Sequence, residues 1–483
     1  MTSRGPDEES RPSWEDPVLT AGSEVVGGPA GEHTAGHPWW TPLRVVLAVA
    51  CLSFALGMVL KTPCVSSEWG DQEVRYAAMC YSDVPYLYTG RGLAELAPPF
   101  SDTGGRYQVM EYPVVIGYFA YGAAVITHFL SGSPDVEARA ALPADQVHAA
   151  PGVSQESGLY FMVTAVLLGA VLLLAAWFMA GVHRRRPWDA MLFAAAPALV
   201  LTGLINWDVL SVAAVAGALW AWARGRPVLT GVLIGLGTAT KLYPLFLLGA
   251  ILVVCLRERR LPRFWVVTGS AVLAWVSVNL PVLLLGFEQW KVFWTFNSDR
   301  GADLGSLWLV LSQAGVPVDA GTINVVSWVA FAAVCLGVLV LGLRVRRTPR
   351  VAQLALLIVA GFLIVNKVYS PQYVLWLLPL AVLARPRWRE LLVWQAGEVF
   401  YFAAVWWHLG ELTAASTAGQ PDRFYWVAIV VRVAAELYLV AVVVRDIVRP
   451  WHDPVTDDSV PDPPSGPRSD PLPVRRRRMA PLS

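Results

Sequence analysis

Apolar runs suited to crossing a bilayer recur from residue 43 to residue 447, and this recurrence restricts the chain more than any single motif does. The runs are 43–60, 112–130, 158–181, 189–205, 209–222, 228–240, 243–256, 264–286, 322–343, 351–366, 372–384, 391–409 and 425–447. A helix of about 20 apolar residues spans the hydrocarbon core. Helices are favoured there because every backbone amide must find its partner within the segment. Several runs are shorter than that, and the polar turns joining them let their ends sink below the interface. Only 15% of residues are charged and 55% are apolar, whereas a soluble domain carries about 25% charge. The expected fold is all-α, a polytopic transmembrane helical bundle of about 12 spans.

Basic clusters set the expected orientation, since Lys and Arg collect on the cytoplasmic side. They are Arg184–Arg186, Arg224 with Arg226, Arg257 to Arg263, Arg344 to Arg350, Arg385 to Arg389, and Arg445 with Arg449. If all thirteen runs crossed, these clusters would fall outside, given a cytoplasmic N-terminus. One run therefore does not cross, and 112–130 is the candidate. It opens with Glu111-Tyr112-Pro113, carries Tyr118, Tyr121, Thr127 and His128, and precedes an acidic loop with Asp135, Glu137, Asp145 and Glu156. With 112–130 lying as a juxtamembrane helix in a first outer loop, 61–157, every basic cluster lands inside. The other outer segments are 206–208, 241–242, 287–321, 367–371 and 410–424. The chain has 33 arginines but only four lysines, Lys61, Lys241, Lys291 and Lys367, and all four fall on the outer side.

Residues 1–41 are rich in Pro, Gly, Glu and Ser and lack the layout of a signal peptide, so they read as a disordered cytoplasmic tail. Residues 448–483 read likewise, and the run Arg475–Arg478 in them either is solvated or touches anionic head groups. Both termini are therefore expected in the cytoplasm. A net charge of +1 gives no field for nucleic acid. There is no paired His/Cys set for a transition metal and no Walker-type phosphate loop, so neither a metal nor another cofactor is expected. Cys64 and Cys80 share the first outer loop, where an oxidising exterior permits a disulfide. Cys51, Cys255 and Cys335 read as small core residues.

The polar residues that interrupt the apolar runs gather on the outer face. The phrase Tyr81-Ser82-Asp83-Val84-Pro85-Tyr86-Leu87-Tyr88 follows the first span. Asp83 suits a helix or turn cap as well as a catalytic role. Asn206-Trp207-Asp208 separates two runs, and Lys241-Leu242-Tyr243-Pro244 separates two more. A lysine at mid-membrane costs about 2.5–3.5 kcal/mol, although near a helix end it snorkels. Lys367 lies in Asn366-Lys367-Val368-Tyr369-Ser370-Pro371-Gln372-Tyr373, and Arg300 lies in the polar stretch 287–308. Three such cations on one face point to an anionic, phosphate-bearing ligand. The 22 tryptophans mark interfaces for the most part, with a few free to stack on a sugar. Arg432 and Glu436, one turn apart inside a run, read as a buried ion pair, and His408 and Glu411 sit at an outer helix end.

The order of one span, an outer-loop Asp with Tyr, Pro98-Pro99-Phe100, then Tyr112-Pro113 opening a juxtamembrane helix resembles the C-type glycosyltransferases that use polyprenyl-phosphate sugars. Within them it is similar to the family-87 actinobacterial alpha-mannosyltransferases, and Ser370-Pro371-Gln372-Tyr373-Val374-Leu375-Trp376 resembles a phrase of that group. The likeness covers roughly 43–447 and divides the chain into the tail 1–41, a transmembrane glycosyltransferase-like domain 42–447 and the tail 448–483. It implies an inverting transfer of a sugar, mannose in the family, from a polyprenyl-phosphate donor to a lipid or glycan acceptor at the outer face of the plasma membrane. By position the general base is Asp83, with Glu68, Asp71 and Glu73 of the same loop as alternatives. Tyr88, Glu111, Tyr112, Asn206, Asp208, Lys241, Arg300, Lys367, Ser370 and Gln372 are the expected substrate-binding residues. A transporter or flippase of lipid-linked sugars would use the same cations but is built from matched halves, and no convincing repeat is visible. A non-catalytic scaffold or a polymerase of outer glycans is the remaining alternative.

Overall fold

The computed structural model describes residues 39–102, 104–183, 186–412 and 422–455. Most of both expected tails, Arg184, Arg185 and Arg475–Arg478 lie outside the described residues. Among those described, the regular structure is helical throughout.

The helices run, in order, α1 (Pro42–Leu60), α2 (Thr62–Ser66), α3 (Gln72–Ala77), α4 (Asp83–Gly90), α5 (Val114–Leu130), α6 (Val136–Ala140) and α7 (Val153–Val182). They continue as α8 (Met191–Ala194), α9 (Pro197–Thr202), α10 (Asp208–Ala223), α11 (Pro227–Thr238), α12 (Leu247–Arg257), α13 (Leu261–Leu285) and α14 (Phe287–Asp299). The last are α15 (Leu307–Gln313), α16 (Ala320–Arg344), α17 (Val351–Val365), α18 (Val374–Ala384), α19 (Trp388–Leu409) and α20 (Arg423–Val448). Five of them, α1, α7, α13, α16 and α20, are long and apolar enough to cross a membrane; six further apolar helices are shorter. The run 189–205 is not one rod: it breaks into a 3-10 turn and the two short helices α8 and α9. Pro197 opens α9, and a proline cannot continue the hydrogen-bond ladder of a preceding helix.

Helix α18 is buried at every position and α17 at most of them. A helix apolar all round belongs in the interior of a bundle, and the other helices surround this pair. Many large apolar side chains of the outer helices are exposed, among them Leu273, Leu284, Leu285 and Val166, as lipid-facing surfaces require. Helices α11 and α13 pack closest. A Cβ on Gly231 would stand 2.1 Å from the Val267 carbonyl oxygen, and one on Gly235 would stand 2.2 Å from that of Ala271. Small residues four apart let two helix backbones touch, the usual device where lipid offers no hydrophobic drive.

Polar contacts sort the bundle into two ends. At one, Arg224 donates to the Gly181 carbonyl (2.8 Å), Arg350 to the Ala384 carbonyl (2.8 Å) and Arg186 to the Pro454 carbonyl (2.8 Å). Arg385, 2% exposed, lies between Glu390 and Asp446. Residues 448–455, expected within the disordered tail, are folded here: Asp453 accepts from Arg350 (2.9 Å) and Gln353 (3.0 Å). At the other end the joining segments bond one another. Asp83 N donates to Ile205 O (2.7 Å), Val115 N to Ala239 O (3.1 Å), Asp303 N to Lys367 O (2.9 Å) and Tyr369 N to Leu304 O (2.7 Å). The first end carries the arginine clusters and the second a large cavity.

Candidate functional site

Segments far apart in sequence enclose one cavity of about 690 Å³. Its wall includes Asp83, Glu111, Tyr112, Asn206, Lys241, Arg300, Lys367, Ser370 and Gln372. Nine of the eleven expected site residues thus meet in one space.

Asp83 is the first residue of α4. Ser82 caps that helix, accepting from Val84 N, while its hydroxyl donates to Ile205 O at 3.1 Å. With the Asp83 N–H also on Ile205 O, the helix start is pinned to the 203–207 turn. Both carboxylate oxygens are occupied: Tyr81 donates to Oδ1 at 2.7 Å and Tyr112 to Oδ2 at 2.8 Å. Burial raises the Asp83 carboxyl above the usual range, and the two tyrosine hydroxyls and Lys241 oppose the rise. A carboxylate made more basic than usual is better suited to accept a proton. The same burial, then the nearby Asp83 charge, pushes both tyrosines well up, so they remain donors. Lys61 lies buried behind this group, its ammonium donating to the Tyr81 carbonyl at 2.6 Å. Burial lowers Lys61 to about 7, with Asp83 pulling the other way.

Three cations line the cavity. Lys241 sits 3.3 Å from Asp208 Oδ1 and 4.8 Å from the centre of the Tyr112 ring. Arg300 pairs with Asp303 at 2.5 Å. Lys367 donates to the Asn324 side chain (2.6 Å) and the Ser298 carbonyl (3.1 Å) and is hydrogen-bonded to no carboxylate among the described residues. Burial lowers its affinity for a proton, and the neighbouring Arg300 lowers it further. Two cations that repel each other in one pocket gain most from a multivalent anion. Glu111 is held by Arg91 through bonds of 2.9–3.0 Å, so its charge is matched locally.

Asn206 Oδ1 accepts from Asp208 N at the start of α10 (3.0 Å), leaving its buried Nδ2 unbonded, and Gln372 Oε1 is likewise buried without a partner among the described residues. Unmatched polar atoms in a cavity wall are available to a ligand. Below the cations the wall turns aromatic and apolar, with Trp328, Phe331, Phe362 and Val365. On the Asp83 side it carries Tyr76, Tyr81 and Trp406. Tyr81 stacks near Trp406 at 5.1 Å and near Tyr76 at 6.4 Å. Gly410 makes the fit between α3 and α19 possible, since a Cβ there would stand 2.8 Å from that of Tyr76.

Two expected residues are placed elsewhere. Tyr88 is fully buried; its hydroxyl donates to Glu156 at 2.6 Å and its ring stacks on Tyr160 at 4.6 Å. It faces away from the cavity because Asp83 and Tyr88, five residues apart on α4, lie on different faces. Asp208 is 1% exposed and not part of the wall; it bonds Trp376 Nε1 (3.1 Å) and holds Lys241. The alternative carboxylates also stay out: Asp71 caps α3 at Val74 N (3.0 Å), Glu68 accepts from Ser154 (2.5 Å), and Glu73 is exposed. His408 pairs with Asp422 at 2.8 Å. The Cys64–Cys80 disulfide is formed and closes the segment that leads to Asp83. Tyr76, Trp406, Asn324 and the Phe331–Phe362 wall were not singled out from sequence; only the general surplus of aromatics pointed towards them.

Residues 148–371 match the model of glycosyltransferase family 87. No curated protein matches the chain. The matched stretch supplies Asn206, Lys241, Arg300, Lys367 and Ser370 to the cavity, whereas Asp83 and Tyr112 precede it. The stretch that matches the glycosyltransferase family 87 model thus builds a large part of the polar cavity of this helical bundle.

Proposed function

We propose that the protein transfers a sugar, mannose by the family resemblance, from a polyprenyl-phosphate donor to a hydroxyl of a lipid or glycan acceptor, with inversion, at the outer face of the plasma membrane. The observation that carries this reading is the sharing of one cavity by a tyrosine-held carboxylate and three cations, above an apolar aromatic wall. Lys367, Arg300 and Lys241 hold the donor phosphate, and Trp328, Phe331 and Phe362 take the first prenyl units below it. The faces of Tyr76 and Tyr81 suit a sugar ring beside Asp83.

In the reaction the acceptor oxygen bonds to the anomeric carbon as the bond from that carbon to the phosphate oxygen breaks. The acceptor proton passes to Asp83, and the electron pair leaves on the polyprenyl phosphate, whose added charge the cations stabilise. The chain's own groups supply every step. The orientation is supported by the separation of the arginine clusters from the cavity, which matches both termini lying in the cytoplasm. It is supported too by α5, whose start bonds Ala239 while Arg139, nine residues past its end, bonds Ala94 O (2.8 Å) and Glu156. This suits a helix lying along the outer surface.

Transfer from polyprenyl-phosphate mannose, measured in membranes, tests the reading. Asp83→Asn is expected to abolish transfer while leaving donor binding intact. Transfer at the wild-type rate would remove Asp83 as the base, and a wild-type protein that moves the donor across vesicles without transferring sugar would establish a transporter instead.

A further inference from the structure

A second cavity, of about 670 Å³, opens at the arginine end between the last turns of α16 and α20. Its rim carries Arg344, Arg346 and Arg449, with Trp451 beside them, and its wall is Val340, Leu341 and Val448. The three guanidiniums take no carboxylate among the described residues. The acids near this end are engaged by other bases: Asp189 by Arg186, Glu258 by Arg260, Glu390 and Asp446 by Arg385, and Asp453 by Arg350. Nor are the rim arginines needed to satisfy the end of α16. Arg257 crosses from α12 and donates to the Leu343, Val345 and Arg346 carbonyls there, which are the acceptors a helix end leaves unpaired.

We propose that this groove binds the head group of an anionic phospholipid, with the lipid's first acyl carbons along Val340, Leu341 and Val448. Three surplus positive charges call for an anion. The apolar wall continues onto the exposed flank of α16, where Leu336 is 61% exposed, so the ligand must be charged at one end and apolar at the other. Trp451, 66% exposed, lies at the rim, the position an amphipathic ring takes at head-group level. Basic pockets between transmembrane helices are suited to such head groups. The site is at the opposite end from the sugar-transfer cavity and does not depend on that activity.

The test uses the full chain in nanodiscs of equimolar phosphatidylglycerol and phosphatidylcholine, released gently and weighed by native mass spectrometry. The wild type is expected to retain phosphatidylglycerol roughly tenfold over phosphatidylcholine. The triple variant Arg344→Gln, Arg346→Gln, Arg449→Gln should lose that preference. A control triple variant, Arg226→Gln, Arg347→Gln, Arg387→Gln, removes equal charge from the same end and should keep it. Equal loss in both variants would reduce the effect to general surface charge and overturn the proposal. So would retention in the first variant. A wild type that gains the preference only after removal of residues 456–483 would assign the groove to the acidic start of that segment, again overturning it.

Discussion

Tyr112 and Lys241 meet over one ring: the ammonium lies 4.8 Å from the ring centre while the hydroxyl of the same residue donates to Asp83 at 2.8 Å. The carboxylate and one of the cavity cations are therefore coupled through a single side chain. In Tyr112→Phe the ring stays and the hydroxyl goes. That bond holds the Asp83 carboxyl down against burial, so its loss moves the carboxyl further up. The base form then needs a higher pH, and the acid limb of the kcat/KM profile shifts upward. A hydrogen bond to a charged group contributes about 1.5–3 kcal/mol, so activity on that limb falls roughly tenfold or more. A pH–rate profile of the two proteins checks this.

Asp83→Asn should make the protein more stable as it becomes inactive. A carboxyl whose folded value is raised above its ordinary 3.8 contributes stability while protonated and loses it as the pH rises through the folded value. The variant has no carboxylate charge to bury at any pH, whereas the wild type bears that cost once Asp83 ionises. The variant's Tm is expected to exceed the wild type's by a few degrees, the gap closing as the pH falls towards 3.8. Thermal unfolding in detergent at several pH values gives the result.

Lys367→Gln keeps a donor towards Asn324 but removes the charge. If Lys367 holds the donor phosphate, KM for the donor rises by roughly ten- to a hundredfold with a smaller change in kcat, and the salt sensitivity of donor binding falls. Steady-state kinetics at two ionic strengths separates the effects. An unchanged KM would place the phosphate elsewhere.

Arg432 carries the loops that hold Arg300 and Lys367. It pairs with Glu436 at 3.0 Å, donates to the Gly305 carbonyl at 3.2 Å and lies 3.5 Å from the centre of the Tyr369 ring, whose hydroxyl donates to Glu398. Arg432→Met leaves buried carboxylates without their counter-ion, a loss of about 3–5 kcal/mol. Arg432→Met with Glu436→Leu is expected to lose less. Unfolding measurements rank the two, and donor KM in the double variant reports whether the loops remain in place.

The parts legible in the sequence were those where lipid makes polarity conspicuous. Lys241 and Lys367 interrupt apolar runs, and charge is hard to hold there without a purpose; both line the cavity, as does Arg300 of the polar stretch 287–308. The ion pair of Arg432 and Glu436, one turn apart, was readable for the same reason. What sequence did not yield depends on direction rather than composition. Tyr88 and Tyr81 share a phrase, yet only Tyr81 lines the cavity, because Tyr81 precedes α4 while Tyr88 lies on the face of α4 that packs against Glu156. Asp208 and Lys241 are 33 residues apart, and their contact is made by folding alone. Tyr76 and Trp406 read as ordinary interface aromatics until α3 packs against α19 at Gly410. The turn after α20 looked like tail, since its Pro and Asp content hid the bonds that Asp453 makes to Arg350 and Gln353.

The central helix α17 has 15 residues, about 22 Å of rise, against a hydrocarbon thickness of about 30 Å. A cavity standing on so short a pillar opens below the level of the surrounding head groups. A substrate carried on a long isoprenoid need not be hauled up into water to reach it. On the proposed reading it glides in sideways, its tail never leaving the oily layer, and only the acceptor hydroxyl has to reach down to it.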